Sequence, residues 1–564
     1  MSVEIPDTLG AEDRGDDSKP SLRAVLTAVV LVVVASFIVG AQSGQSAKET
    51  GTTLAEEETT TTVPDLNDPL DWQAAELGET FPQGLLGFEG SLYFFGTPGF
   101  GSPFEVGKGL DAWLLVDGVT WKSLGTVIEA PNQIHAVSAT PRGLVAVGSA
   151  DGKRLQLWSS TDAIEWHESE LPEVPSISDY FHPWAQAVGG TDDVTLVVAS
   201  SSPDIWALLS DVLPADLMDG DGDPPLNFSW GSSAGAVSLY GPLGFTVFTA
   251  TPEDLGLTEE EGRILLGGAS PDEVVAWTSI DHRAWIPVDL GVEYVTGTFE
   301  VGGDLVVGGY GRAGYETWIS PDGFEWERHA GGGEQEHLAS WRDGFVAVRQ
   351  QSPTPDISYS EDRTTWQPLG VASYLTDEFS WQFQTLAADD GGLATVITGY
   401  DDAAFTGEDL QPVVIERDGY TLTADGMGGP VVIRSGDEVL LSLSTYSNQV
   451  YDEVVVDFGA RSVTFLHPDS LEALVSFTFE EIEDAEADAF DGQRLMNEEQ
   501  LVAFTADGST WSVESVSEAF GEDTFVDRLY VTDNQVVAVV IEYTNRFTPV
   551  PTVPNVVIWT AVIP

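Results

Sequence analysis

Residues 320–326 read Ser-Pro-Asp-Gly-Phe-Glu-Trp, and this short pattern decides the fold. An apolar strand runs into Ser or Thr, Asp follows one residue later, and Trp stands four residues after the Asp. An Asp side chain accepts backbone N–H groups in a tight turn, so each copy predicts a hairpin between two strands. The copies are centred on Asp117 and Trp121, Asp162 and Trp166, Asp281 and Trp285, Asp322 and Trp326, Asp362 and Trp366, and Asp507 and Trp511.

Neighbouring copies are 40 to 45 residues apart where no long segment separates them, as for Trp121 and Trp166 or Trp326 and Trp366. Four short strands in about 40–45 residues make one blade of a β-propeller. A Trp at a fixed place in each blade is large enough to fill the space between adjacent blades. The two wider gaps predict insertions within single blades, at about 202–265 and about 410–495. The second has its own alternating apolar runs and predicts a small β-domain.

The two ends of this region complete each other. Residues 556–559 supply a third strand, after which the chain stops, and residues 70–73 supply the missing Trp-bearing strand. Pairing them in one blade would remove exposed sheet edges. The sequence therefore predicts an all-β fold over 70–564: a seven-bladed β-propeller closed by pairing of its N- and C-terminal strands, with two intra-blade insertions.

These turns resemble the Asp-box (BNR) repeats of the sialidase-like β-propeller superfamily. They are variants, because the usual repeat is one residue longer between Asp and Trp, Gly follows Asp in three of the six, and Leu115 replaces Ser or Thr. The resemblance implies the propeller fold and places these boxes at blade turns away from an active face. It does not extend to the sialidase F/Y-R-I-P motif. The nearest strings, at 262–265 and 285–287, lack essential parts of that motif.

The N-terminal region predicts a membrane anchor. Residues 22–41 form an apolar run of the length that crosses a bilayer as a helix. Arg14, Lys19 and Arg23 precede most of it, which places residues 1–21 in the cytoplasm and the rest outside. A cleaved signal peptide ending near Ala41 is the alternative and would give a secreted protein. Residues 42–69, rich in Thr and Glu, predict a flexible stalk.

Composition excludes several classes of function. The chain has 92 acidic and 22 basic residues, a net charge of -70 and no cysteine. This charge would repel nucleic-acid phosphates, so no nucleic-acid partner is expected. Disulfides and thiolate chemistry are excluded, and an exported chain of this kind suits bacteria that do not rely on disulfides. Adaptation to salt and a high-GC genome both remain explanations of the acidity.

One segment has the ligand types of a cation site. Asp219, Asp221 and Asp223 alternate in an acidic loop, and carboxylates so spaced could converge on Ca²⁺. An EF-hand-like loop would need Gly at its sixth position and Glu at its twelfth, where this chain has Pro224 and Trp230. A plain acidic insertion loop is the alternative. The sequence thus predicts no cofactor, with calcium as the open exception.

The predicted function follows from location and fold. No nucleophile elbow, phosphate-cradling loop or paired-histidine metal motif is present. We expect a single-pass membrane protein whose extracytoplasmic propeller is a non-catalytic binding or scaffold module at the cell envelope, with an envelope protein or polysaccharide as its partner. An extracellular glycan hydrolase with its site at the central opening of the propeller is the alternative.

Overall fold

The structure, a computed structural model, describes residues 70–563 with gaps. The predicted tail, anchor and stalk at 1–69 lie outside the described residues. Among the residues that are described, no helix is long and apolar enough to cross a membrane. The gaps are 99–107, 150–153, 176–180, 204–207, 209–212, 214–228, 234–235, 241, 260, 263–265, 267–273, 302, 312–313, 331–334, 350–355, 363–364, 377–378, 390, 401–411, 425–429, 446–449, 458, 495–497, 522–523, 533 and 543–554.

The described chain is all-β, as the sequence predicts, and most of its strands belong to seven four-stranded antiparallel sheets. Sheets 1, 2 and 7 share the long strands β1 and β4, so hydrogen bonding joins them into one ten-stranded sheet. The strands of sheets 1 and 2 are β1 (Trp72–Phe88, from Thr80), β2 (Ser91–Pro98), β3 (Lys108–Leu115), β4 (Trp121–Thr140, divided near Gln133), β5 (Gly143–Ser149), β6 (Leu155–Ser160) and β7 (His167–Glu170).

Sheets 3 to 6 stand separately. Sheet 3 comprises β8 (Phe181–Gly190), β9 (Thr195–Pro203), β13 (Val275–Ser279) and β14 (Ile286–Val288). Sheet 4 comprises β15 (Tyr294–Val301), β16 (Asp304–Gly311), β17 (Gly314–Ser320) and β18 (Glu327–Ala330). Sheet 5 comprises β19 (Gln335–Trp341), β20 (Gly344–Arg349), β21 (Asp356–Ser360) and β22 (Gln367–Pro368). Sheet 6 comprises β23 (Ser380–Asp389), β24 (Gly392–Tyr400), β32 (Glu498–Thr505) and β33 (Ser512–Ser515), and the short helix α2 (Val516–Phe520) follows.

Sheet 7 combines the two ends of the described chain. Its strands are β34 (Thr524–Thr532), β35 (Gln535–Glu542), β36 (Asn555–Val562) and the first part of β1. Trp72 pairs with Ala561 and Glu79 with Asn555, so the first and last described strands are hydrogen-bonded neighbours. This pairing gives β36 a neighbour on both sides and makes the first part of β1 the fourth strand of sheet 7.

The first strands of the seven sheets contact one another in series. The order is β34, β1, β4, β8, β15, β19 and β23, and β23 in turn contacts β34. Apolar side chains fill each junction; Leu85 and Phe94 of sheet 1 pack with Val537 and Ile558 of sheet 7. This serial packing, in which each sheet covers the face of the next, is typical of the propeller fold.

The connections divide between two edges of the sheets. Because the strands are antiparallel, the first hairpin and the third-to-fourth connection lie at one edge, and the second-to-third connection lies at the other. The six Asp–Trp repeats are third-to-fourth connections, and we call them the Asp–Trp turns and their edge the Asp–Trp edge. Both insertions are second-to-third connections, β9 to β13 and β24 to β32, and we call theirs the insertion edge.

The insertions have wider bounds than composition predicts. The strands of the seven sheets, which we call the ring strands, end at Pro203 and resume at Val275, where about 202–265 was predicted. They also end at Tyr400 and resume at Glu498, where about 410–495 was predicted. Strand pairing sets these bounds, since Tyr400 lies directly opposite Glu498 in the ladder. The predicted ends rest on apolar runs, which do not show where pairing stops.

Gly87 tests the contact between sheets 7 and 1. A Cβ on Gly87 of β1 would overlap the buried Tyr530 hydroxyl of β34, whereas a Cβ on Gly84 of the same strand would meet only ordinary contacts, the nearest 3.5 Å away. We expect Gly87→Ala to lower the free energy of unfolding by about 1–3 kcal/mol, the usual effect of overpacking. Chemical denaturation measures this change, with Gly84→Ala as the matched control. Equal stability of the two variants would contradict the contact.

Candidate functional site

The aspartates of the Asp–Trp turns hold the turn backbone. Oδ1 of Asp322 accepts the N–H groups of Phe324 at 2.9 Å and Glu325 at 3.0 Å, and the Ser320 hydroxyl donates to it at 3.2 Å. The same bonds recur at the other turns wherever the donor is described. The residue after Asp has a positive φ in every turn that describes it, 75° at Gly323 for example.

These hydrogen bonds favour the charged aspartate. Donation by the Glu325 N–H lowers the pKa of Asp322, donation by the Ala284 N–H lowers that of Asp281, and donation by the Thr120 side chain lowers that of Asp117. Each of these carboxylates is therefore ionised at neutral pH. Their hydrogen bonds to the turn show what the repeated Asp does: it stabilises the reversal of the chain.

At five of these turns the Trp packs between two sheets. Trp121 of sheet 1 packs into the core that sheets 1 and 7 share, and Trp166 of sheet 2 contacts Phe95 of sheet 1 with ring centroids 6.0 Å apart. Nε1 of Trp511 in sheet 6 donates to the carbonyl of Leu369, next to sheet 5, at 3.0 Å. The repeated Trp thus marks the junction between each of these sheets and the preceding one.

Side chains at the Asp–Trp edge link neighbouring sheets through backbone carbonyls. Each runs from the first hairpin of one sheet to the Asp–Trp turn of the next. Gln535 Nε2 donates to Gly118 at 3.0 Å, Arg142 Nη1 to Ile280 at 2.6 Å, and Arg342 Nη2 to Ala506 at 3.1 Å. At these three junctions, side-chain bonds at the Asp–Trp edge therefore hold neighbouring sheets together.

Each of the seven first strands contains one β-bulge against its second strand. The register shifts lie between 82 and 84, 134 and 136, 185 and 187, 295 and 297, 335 and 338, 383 and 385, and 526 and 528. A bulge leaves an unpaired residue in the ladder, and a buried N–H group without an acceptor is costly. Repetition of the bulge therefore creates a repeated need for an acceptor.

Beside three of these bulges, a side chain of the preceding sheet accepts the N–H group of the residue just before the bulged one. His135 Nδ1 accepts the Ala185 N–H at 3.1 Å, Gln186 Oε1 accepts the Val295 N–H at 2.9 Å, and the Gln500 side chain accepts the Val526 N–H at 2.9 Å. His135 and Gln186 are themselves the bulged residues of their strands. At these three junctions, polar contacts that the repeat pattern does not contain join the first strand of one sheet to the preceding sheet.

Two titratable groups among these strands have shifted pKa values. Burial lowers the pKa of His135 from 6.5 to about 3, and its ring stacks on Trp184 with centroids 4.1 Å apart. Burial raises the pKa of Asp527, the bulged residue of β34, although the adjacent Arg528 opposes this by donating to its Oδ2 at 2.9 Å. Each group makes a hydrogen bond, His135 to the Ala185 N–H and Asp527 to the Arg528 side chain.

The two insertions form a single lobe with one hydrophobic core. Its strands are β10 (Ser229–Ser233), β11 (Ala236–Tyr240) and β12 (Thr246–Ala250) from the first insertion, and β25 (Val413–Arg417), β26 (Tyr420–Ala424), β27 (Pro430–Ser435), β28 (Glu438–Ser444), β29 (Val454–Asp457), β30 (Ser462–Leu466) and β31 (Ala473–Thr478) from the second. Helix α1 (Phe479–Arg494) follows β31. We call this assembly the insertion lobe.

The core of the insertion lobe joins residues that are far apart in sequence. Leu243 and Phe245 of the first insertion are buried with Phe465, Phe477 and their neighbours of the second. The rings of Phe245 and Phe465 meet edge to face with centroids 5.5 Å apart. The sequence predicts a small β-domain in the second insertion alone, but the structure shows that the first insertion supplies part of its core.

Helix α1 begins with a capping box. Glu481 accepts the Thr478 N–H at 2.8 Å, and the Thr478 hydroxyl accepts the Glu481 N–H at 3.2 Å, which satisfies donors at the helix start. Arg417 of β25 pairs with Glu481 at 2.6 Å. Residues 480–488 form the body of this helix, which packs on the lobe through Phe479 and Ile482.

One face of the β25–β28 sheet is turned to solvent. Along β25, Val413 and Ile415 are buried in the core while Val414 and Glu416 are exposed, the alternation of a half-buried strand. Val414 faces Thr423, which faces Val432, so small apolar and hydroxyl side chains form a row across three strands. Val439, on the far edge, is 48% exposed like Val414. This row of Val and Thr side chains is accessible, and the exposed Glu416 lies on the same face.

The predicted calcium ligands Asp219, Asp221 and Asp223 lie outside the described residues. Within the parts of the chain that are described, no three His, Asp or Glu side chains come together as they would around a metal ion. The twelve predicted repeat residues all lie at the Asp–Trp edge, away from the insertion lobe. Sequence reasoning missed His135, Gln186 and Phe245, because neither a bulge acceptor nor a core shared by two insertions has a local sequence signal.

Comparison with known proteins gives no family. No protein-family model and no curated protein matches the chain. Among solved structures, the WD40 domain of SCAP from fission yeast is similar with a TM-score of 0.29 and 10% identity, over 87% of this chain and 98% of that one. A β-fructofuranosidase of Bombyx mori has a TM-score of 0.26 and 14% identity, over 80% and 94%. A six-bladed fucose-recognising lectin of Aleuria aurantia has 0.28 and 9%, over 66% and 99%.

Proposed function

We propose that this protein is a non-catalytic binding module of the cell envelope, built on a seven-bladed β-propeller that is closed by pairing of its terminal strands. The seven four-stranded sheets, the series of contacts that returns from β23 to β34, and the pairing of β1 with β36 support this architecture. The Asp–Trp turns are its Asp boxes in this proposal. Residues 22–41 would tether it to the membrane and residues 42–69 would space it from the surface.

The insertion lobe is the observation that carries the binding function. Its strands belong to none of the seven sheets, and its core contains no residue of the ring strands. Among the described residues, the sheets and the core of the lobe are therefore separate from those of the seven sheets. Segments that a scaffold presents without needing them for its own fold are where proteins place binding surfaces.

The position of the lobe fits the same role. The two insertions arise at sheets 3 and 6, so the lobe spans sheets 4 and 5 at the insertion edge. At the opposite edge, the side chains of Gln535, Arg142 and Arg342 bond to carbonyls of the next sheet at three junctions. The lobe, with its row of Val and Thr side chains, would contact an envelope protein or polysaccharide.

Removal of the lobe tests the proposal. Tyr400 and Glu498 are directly paired, so a two-residue hairpin can replace 401–497, and a short linker can replace 204–274. We expect the ring to keep its cooperative melting and the protein to lose at least 100-fold in affinity for the envelope component that the full chain binds. Glycan arrays and purified envelope polysaccharides and proteins provide the binding measurement.

A matched variant at the other edge completes the design. Phe324→Ser changes an exposed side chain of an Asp–Trp turn and should leave binding unchanged. Undiminished binding by the lobe-free protein would contradict the proposal. Release of reducing sugar from a bound glycan by the full chain would contradict its non-catalytic part.

A further inference from the structure

A cavity of about 190 Å³ lies at the Asp–Trp edge, between sheets 2 and 3. Arg142, Thr161 and His167 of sheet 2 and His282 of sheet 3 line it. A water molecule occupies about 30 Å³, and pockets for larger ligands begin at about 300 Å³. The cavity therefore has room for one small chemical group.

At three other junctions of this edge, a side chain of the preceding sheet fills the position that corresponds to the cavity. A Cβ on the glycine after the Asp would come within 2.5 Å of Gln535 at Gly118, 2.7 Å of Val194 at Gly323, and 2.5 Å of Trp341 at Gly508. In sheet 3 the corresponding residue is His282, which keeps the left-handed conformation with φ 59°. The buried Thr195 contacts His282 on the side away from the cavity, and its hydroxyl lies 2.8 Å from Nε2. The cavity lies on the other side of His282.

The cavity wall is rich in hydrogen-bond donors. A guanidinium has five N–H groups, and Arg142 uses one of them for the Ile280 carbonyl. Within the described residues Arg142 forms no ion pair, although the chain has far more acidic than basic residues. The imidazoles of His167 and His282 and the hydroxyl of Thr161 add further donors. Burial, and then the charge of Arg142, lower the pKa of His282, so its imidazole is neutral at neutral pH.

We propose that this cavity binds one oxyanion group, a carboxylate, sulfate or phosphate, with Arg142 as the charged contact. A planar guanidinium pairs with two oxygens of such a group at once. Asp162 and Asp281 flank the cavity, but their Oδ1 atoms face the turn N–H groups. Their charges and the net charge of the chain weaken the attraction and limit the site to a single anionic group. The proposal is independent of the insertion lobe.

Titration of the full-length protein with sodium sulfate, phosphate, acetate and glucuronate tests the site, with sodium chloride as the reference at constant ionic strength. Calorimetry should show saturable binding of at least one of these anions. Arg142→Gln should weaken it at least tenfold. Thr161→Val, at an exposed position of the wall, should weaken it to a smaller extent and keeps the test valid if the Arg142 variant is unstable.

Arg342→Gln is the matched control, since Arg342 makes the same carbonyl contact between sheets 5 and 6 but lines no part of this cavity. It should leave anion affinity within twofold of wild type. Preference for glucuronate over acetate would identify a sugar-borne carboxylate, and preference for phosphate or sulfate would identify those groups as the source. Equal affinity of Arg142→Gln and wild type, or no binding beyond that of chloride, would overturn the proposal.

Discussion

Phe245→Ala, a substitution in the first insertion, should loosen the second insertion while leaving the seven sheets intact. Phe245 is 1% exposed, and its ring packs against Phe465, which is fully buried at the centre of the lobe core. Truncation of a buried Phe removes apolar contacts and leaves a cavity, at a cost of about 3–5 kcal/mol. Because one core serves both insertions, this cost falls on the whole insertion lobe.

Hydrogen exchange locates the effect. We expect faster amide exchange in strands β25 to β31, which contain no mutated residue, and unchanged exchange in β34 to β36 of the ring. Val414→Ala provides the matched control, since Val414 is a 48% exposed side chain of the same lobe and its truncation should change stability by less than about 0.5 kcal/mol. Faster exchange confined to β10 to β12 would show that the insertions fold separately.

The ring was accessible from sequence because its signal is local. Each Asp–Trp turn contains the residues that determine its geometry within a stretch of seven. These are a carboxylate that accepts the turn N–H groups, a residue that adopts positive φ, and a Trp that packs at the junction with the preceding sheet. Ser320 to Trp326 is an example in which all three parts are used as predicted. Repetition of a local signal then gives the order of strands along most of the chain.

The insertion lobe and the inner bulges were not accessible in this way. The contact of Phe245 with Phe465 links two insertions that are separated in the sequence by sheets 4 and 5. No sequence pattern in either insertion predicts that it packs against the other. His135 and Gln186 accept N–H groups at equivalent junctions, yet one is an imidazole and the other an amide. Their shared role depends on the geometry of the bulge, which different acceptors satisfy equally well.

His135 should make the stability of the ring depend on pH between about 6.5 and 4. Its pKa is lowered to about 3 by burial, while the unfolded chain has the ordinary 6.5. Below pH 6.5 His135 therefore binds a proton in the unfolded state but not in the folded state. Its contribution to stability is complete above pH 6.5 and is lost as the pH falls toward 3. The expected loss is up to about 1.4 kcal/mol for each pH unit.

His135→Gln isolates this contribution, because Gln186 shows that a Gln side chain can accept the N–H group at a bulge without titrating. The variant should fold, and the difference in free energy of unfolding between wild type and variant should change by about 2–3 kcal/mol from pH 6.5 to 4.5, measured by urea denaturation with Trp fluorescence. His282, whose pKa is also lowered, and the carboxylates contribute equally to both proteins and cancel in the difference. Parallel stability curves would mean that His135 becomes protonated within the folded ring. The imidazole would then be a solvent-facing group, and the Ala185 N–H would need another acceptor.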